Sequence, residues 1–115
     1  MVVANPPQGW FPRRGEIYFA RLDKLRPVLV ISADSLNRHA LDVCVVPITT
    51  VERRAFTLRV PIRAGDGGRH ADSWAKCDQV TTLEKGYLQY PPLGVVSDRA
   101  LTALEESIKL ALGIV

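Results

Sequence analysis

Leu25-Arg26-Pro27-Val28-Leu29-Val30-Ile31-Ser32 sets one guanidinium and one proline directly before four consecutive apolar residues. A short apolar run bounded by turn residues reads as a buried strand. Pro27 suits the first position of that strand, where no ladder donor is needed. It also biases Arg26 toward an extended backbone. The stretch therefore predicts a core strand, Pro27 to Ile31, with a charged fork fixed at its rim. A charge clamped in this way is held ready for a partner or for chemistry. An arginine that merely ends a strand and points into water is the alternative.

Working outward, Glu16 to Leu22 reads as the preceding strand, with Ile17 and Phe19 on one face and Tyr18, Ala20 and Leu22 on the other. Both faces are apolar, as in a small closed barrel. Asp23-Lys24-Leu25 is the turn between the two strands. Ser32 to Arg38 is polar and predicts one short helical turn. Leu41 to Ile48 is a third strand, with Pro47 marking an edge, a bulge or an ending. The clearest alternation follows: Phe56, Leu58, Val60 and Ile62 on one face, and Thr57, Arg59 and Arg63 outward. Gly65 to His70 reads as a flexible loop, and Trp74 to Asp78 as a fifth strand ending at Gln79. Thr82 to Gly86 suggests a helical turn, Tyr90-Pro91-Pro92 a bend, and Leu93 to Val96 a sixth strand. Ser97 caps a final helix that carries Leu101, Leu104, Ile108 and Leu112 at helical spacing, and Gly113 stops it. The expected fold is mostly β with a C-terminal α-helix, one domain over residues 13–115 after a loosely ordered N-terminal arm, residues 1–12.

Composition narrows the function classes. At 115 residues and 47% apolar content the chain suits one compact core. Fifteen Lys and Arg against twelve Asp and Glu leave a formal charge of +3, and the isoelectric point is near 9.1. This mild basic excess permits a nucleic-acid or acidic-protein partner without requiring either. No apolar run approaches the ~20 residues of a membrane span. The first residues lack the pattern of a signal peptide, so a cytoplasmic location is expected. Cys44 and Cys77 read as reduced, buried thiols. His39 and His70 read as loop residues, and no metal site or cofactor is expected. Arg53, Arg54, Arg59 and Arg63 form a basic middle third: a solvated face, an RNA track or a dock for an acidic partner.

The strand ends offer one chemical group. Arg26 opens the second strand, Thr49 follows the third, and Asp78-Gln79 end the fifth. A guanidinium fork matches a phosphate, and a hydroxyl adds one bond to a non-bridging oxygen. A phosphodiester beside a ribose 2′-OH needs little more than charge stabilisation and proton transfer to break. Only RNA carries that internal nucleophile. Each residue also has a plainer reading: Thr49 as a turn cap, Asp78 as a partner of Lys76 or Arg26, Gln79 as a turn residue.

Four blocks carry a family resemblance: Arg13-Arg14-Gly15-Glu16-Ile17-Tyr18, Arg26-Pro27-Val28-Leu29-Val30-Ile31, Val45-Val46-Pro47-Ile48-Thr49-Thr50, and Cys77-Asp78-Gln79-Val80 followed by Thr82-Leu83. In this order and spacing, from about Arg13 to Leu112, the chain resembles the MazF/PemK family of toxin–antitoxin endoribonucleases. The resemblance implies an SH3-like barrel of the PemK/CcdB type, a homodimer, an acidic antitoxin partner, and metal-independent, sequence-specific cleavage of single-stranded RNA. It implies Arg26 and Thr49 as catalytic residues, with Lys76 and Asp78 as positions for catalysis or RNA contact. Gln79, Asp23 and Lys24 join them as candidates. The turn before the Arg-Pro pair is shorter than in many members and lacks their loop acid or imidazole. The general base is thus open between none beyond Arg26 and Thr49, Asp23, and Asp78. Two other classes stand beside the nuclease: a non-catalytic toxin of this fold that grips a protein such as gyrase, and an inactive relative that only binds nucleic acid or antitoxin.

Overall fold

A computed structural model describes residues 3–52 and 58–114. Arg53, Arg54, Phe56 and Thr57, named above, lie outside the described residues. Seven strands form one antiparallel sheet: β1 Glu16–Arg21, β2 Leu25–Val30, β3 Asp42–Thr49, β4 Arg59–Ile62, β5 Ser73–Lys76, β6 Thr81–Glu84 and β7 Leu88–Val95. Two helices accompany them, α1 Asp34–His39 and α2 Asp98–Leu112, together with 3-10 turns at Asp66–Gly68 and Lys85–Tyr87. The hydrogen-bonded order is β4-β5-β3-β2-β1-β7, with β6 also on β3.

β3 is the hub. It pairs with β2 through Val45, Val46 and Pro47, with β6 through Asp42 to Val45, and with β5 through Ile48 and Thr49. Pro47 falls where the ladder passes from β6 to β5, so its missing N–H interrupts no pairing between those two strands. The two-residue alternation sorts side chains onto two apolar faces. Ile17, Leu29, Val46, Ile48 and Ala75 lie on one, packed with Ala100 and Leu104 of α2. Tyr18, Ala20, Val28, Val30, Val43, Val45, Leu83 and Leu88 lie on the other, against which Trp10 packs. Both faces of β1 are therefore buried, as its sequence predicts.

The barrel is incomplete. Among the described residues no pairing joins the end strands β4 and β7. Instead α2 lies against β4, and the Asp66–Gly68 turn lies against β7. The glycine-rich loop expected to be flexible is anchored here. The Ser97 N–H and hydroxyl both donate to the Asp66 carboxylate, at 2.7 and 2.9 Å. Gly68 (φ +74°) has no room for a side chain, because a Cβ there would stand 2.0 Å from the Leu93 carbonyl oxygen.

Two further expectations are corrected. Thr82–Glu84 belongs to β6 and not to a helical turn; only Lys85–Tyr87 is helical. Its backbone fills the free edge of β3, although only Leu83 of the strand is buried. Tyr90-Pro91-Pro92 lies within β7 as an irregularity, opposite a register shift between Ile17 and Phe19, and its Tyr90–Pro91 bond is cis. The helix matches its signals: Ser97 Oγ accepts the Ala100 N–H, and Gly113 (φ 69°) closes the C-terminus. Leu112, expected in the core, is 56% exposed, one turn beyond the last residue that reaches the sheet, Ile108. The N-terminal segment runs along the sheet, with the Ala4 N–H bonded to the Tyr90 carbonyl at 2.9 Å and Trp10 edge-on to Tyr18 and Tyr90.

Candidate active site

Arg26 and Thr49 come from neighbouring strands. The β2–β3 register pairs Leu29 with Val46 and Val28 with Pro47. Carried two residues further, it sets Arg26 opposite Thr49, just past the paired ends. Alternation places both on the face of Val28 and Val45. Across β3, Thr49 is paired with Trp74 of β5, and Lys76 of β5 with Arg59 of β4. A guanidinium, a hydroxyl, an indole, an ammonium and a second guanidinium thus fall on one face of adjacent strands. Trp74 was not singled out in the sequence. The burial of Ala75 and Cys77 is the signal that sets Trp74 and Lys76 on Thr49's face.

Arg26 is held from the β1–β2 turn. Its Nε–H donates to Asp23 Oδ1 at 2.9 Å and its Nη2–H to Oδ2 at 3.0 Å. The Arg26 bond, with a smaller contribution from the nearby backbone amides of the turn, holds the Asp23 pKa far below the usual carboxylate range. The same bond raises the Arg26 pKa. A carboxylate stabilised this strongly as an anion is a poor proton acceptor, which argues against Asp23 as the base. Lys24, at the tip of the turn, is exposed, and its carbonyl accepts the Leu22 N–H at 3.1 Å.

Thr49 does what a turn residue does: its Oγ1 accepts the Val51 N–H at 3.1 Å. That bond uses one lone pair and leaves the hydroxyl hydrogen available to a ligand. Asp78 and Gln79 are exposed in the β5–β6 connection, where the Gln79 N–H donates to the Lys76 carbonyl at 3.0 Å. The connection passes along the edge of β3 away from β2, at the level of Pro47. The register, continued past its last pair Val28–Pro47, thus runs toward Arg26 and Thr49 on one face, with Asp78 and Gln79 across β3 from Arg26.

The basic surface is less uniform than its sequence. Arg63 is exposed beyond the end of β4. Arg59, expected to point outward, is half-buried: its Nη1–H donates to the Val51 carbonyl at 2.6 Å, and its Nε–H is buried without a partner. Its guanidinium is folded over the exit of β3, close to the Thr49 turn. Among the described residues no group of three His, Cys, Asp or Glu converges, and His39 and His70 are both exposed. Cys77 is buried, which raises its thiol pKa, and Cys44 is half-buried; both are free thiols.

Residues 13–112 match the model of a family described as the PemK-like, MazF-like toxin of type II toxin–antitoxin systems. The chain is 31% identical to Endoribonuclease MazF9 of Mycobacterium tuberculosis over 113 residues, covering 87% of this chain and 95% of that one. It is 39% identical over 67 residues to Endoribonuclease MazF3 of the same species, covering 58% of this chain and spanning 63% of that relative's length. A solved mycobacterial endoribonuclease in complex with its cognate antitoxin superposes with a TM-score of 0.76 at 28% identity, covering 90% of this chain and 95% of that one. With the family model spanning nearly its whole length, this chain belongs to the PemK-like, MazF-like toxin family of type II toxin–antitoxin systems.

Proposed function

We propose that this protein is a sequence-specific endoribonuclease that cleaves single-stranded RNA through the ribose 2′-OH and needs no metal ion to do so. The observation that carries the reading is a guanidinium, Arg26, clamped by Asp23 at the start of β2, on the same sheet face as Thr49 at the end of the neighbouring β3, whose register with β2 extends toward the two. Arg26 offers its unused donors to the non-bridging oxygens of the scissile phosphate, where charge develops in the transition state. Thr49 adds one O–H bond. The 2′-oxygen attacks phosphorus and gives up its proton, the bond to the 5′-oxygen breaks, and that oxygen takes a proton. Asp23 being tied to Arg26 and Asp78 lying across β3, we assign the step to Arg26 and Thr49 alone, with water taking the 2′-OH proton. Trp74 offers a stacking platform for an unpaired base, worth roughly 1–3 kcal/mol where such contacts are made. Lys76, Arg59 and Arg63, with Arg53 and Arg54, supply charge for the RNA backbone.

An acidic antitoxin segment is the partner we assign to this basic face; the mycobacterial neighbour was solved in complex with its cognate antitoxin. A cytoplasmic location is the one that suits an RNA substrate. None of the described helices is long and apolar enough to cross a membrane.

The test is incubation with a mixed single-stranded RNA in the presence of chelator, with both new ends mapped. Cleavage leaving a 2′,3′-cyclic phosphate or 3′-phosphate and a 5′-hydroxyl is expected. Products with 5′-phosphates, or loss of activity with chelator, would refute the mechanism. Intact RNA would refute the activity.

A further inference from the structure

We infer that Asp23 is a positioning residue for Arg26: it holds the guanidinium by its side edge so that the terminal fork faces the scissile phosphate. The inference rests on the nuclease reading above and adds a component to it. A guanidinium carries five N–H donors. Asp23 takes the Nε–H and one Nη2–H, at 2.9 and 3.0 Å. The two Nη1–H groups and the second Nη2–H lie outside that pairing, and the second Nη2–H with the Nη1–H parallel to it forms the end-on fork that a phosphate can engage. Clamp and substrate therefore use different edges of the same planar group.

The need for a clamp follows from exposure. The Arg26 side chain is 39% exposed, and a long cation so placed samples many rotamers unless something fixes it. Pro27 fixes the backbone after Arg26 but not its side chain. Asp23 can fix it because the backbone that carries Asp23 is short and closed. The turn has only three residues, joined by the Leu22 N–H bond to the Lys24 carbonyl, and it sets the carboxylate three residues before Arg26, within reach of two of its donors. Ordering Arg26 before RNA arrives removes that cost from the chemical step. A carboxylate this close to a phosphate also repels it, so Asp23 should contribute nothing to RNA affinity, and its benefit must appear in the rate.

The experiment compares wild type, Asp23→Asn and Asp23→Glu by single-turnover cleavage, RNA affinity and melting temperature. Asparagine keeps the size but turns an N–H toward a guanidinium N–H, which breaks the paired geometry. Asp23→Asn is expected to cleave about tenfold or more slowly, with RNA affinity unchanged or tighter and melting temperature nearly unchanged. Asp23→Glu, which keeps the carboxylate on a longer stem, is expected to recover part of the rate. An Asp23→Asn rate equal to wild type overturns the inference alone. A faster rate also overturns it, showing that Asp23 blocks the fork. Wild-type protein that leaves RNA intact overturns the nuclease reading, and the inference falls with it.

Discussion

A planar fork and a point charge differ in what they can hold, and Arg26→Lys separates the two. Lysine keeps the charge but cannot bridge Asp23 and a phosphate from two edges at once. If Arg26 only balanced charge at a strand end, the change would cost little. As the phosphate ligand, its replacement should slow single-turnover cleavage by about 10²–10³. RNA affinity should fall much less, and melting temperature should hold, because Pro27 and the β2 core are untouched. Full cleavage by Arg26→Lys would remove Arg26 from the mechanism. The Asp23 carboxylate supplies a second prediction. Its pKa is depressed, so the pairing is present above the ordinary carboxylate pKa and is lost only as pH falls through the lowered folded value. Acidifying through the ordinary range, about pH 3.5 to 4.5, should leave Asp23 ionised in the folded protein. Carboxyl carbon NMR should show no Asp23 titration there, and Arg26→Ala should move its titration back toward that range. A wild-type midpoint in the ordinary range would show that the pair does not persist in solution. The Arg-Pro pair before a core run announces Arg26 in the sequence. Its carboxylate partner is less legible, because the pairing depends on how a three-residue turn closes.

At the scale of elements, the Asp66–Gly68 turn decides how α2 and β7 meet. Gly65 and Gly68 both have positive φ, +93° and +74°, yet only Gly68 is crowded by backbone. A Cβ at Gly65 meets nothing within 4 Å, so Gly65→Ala should cost only the left-handed conformation, about 1–2 kcal/mol. Gly68→Ala must also displace the Leu93 carbonyl and should cost well beyond that range; Gly86→Ala, at ordinary φ and in open space, should be nearly neutral. Urea denaturation of the three variants checks the order, and equal losses at Gly65 and Gly68 would deny the close approach. These contacts explain why the sequence reads this loop as flexible: glycine content looks alike whether it serves freedom or close packing. β1, β2, β3 and α2 are legible because apolar period and capping residues agree. β6 is not, since one buried leucine among threonines and a glutamate carries no strand period. β7 is hidden by its prolines, which read as a bend and lie inside the strand. The strand ends name Arg26 and Thr49 together, but which face they share, and that Asp78 lies across β3, follows only from the β2–β3 register and the β5–β6 connection.

At the scale of the whole molecule, the end of α2 is unfinished. Leu110, Leu112 and Ile114 are 73%, 56% and 57% exposed, within five residues of chain. Ala100, near the start of the helix, is buried against its own sheet. One exposed apolar surface is the C-terminal turn of α2 together with Ile114. Scattered apolar residues on a surface need no explanation, but several adjacent ones mark a site of association. We predict a homodimer in which this end of the helix is covered by the second copy. A stable interface buries about 800 Å² per partner, and Leu110 and Leu112, two positions apart on the helix, would enter it from different sides of that end. Leu110→Glu with Leu112→Glu should convert the dimer to monomer, because two buried carboxylates without partners cost more than such an interface can offset. Neither residue packs in the core clusters, so the monomer should keep its fold and its melting should remain cooperative. Sedimentation of both proteins at micromolar concentration decides the matter. A monomeric wild type would remove the dimer, whereas a double variant that stays dimeric would place the interface on another face.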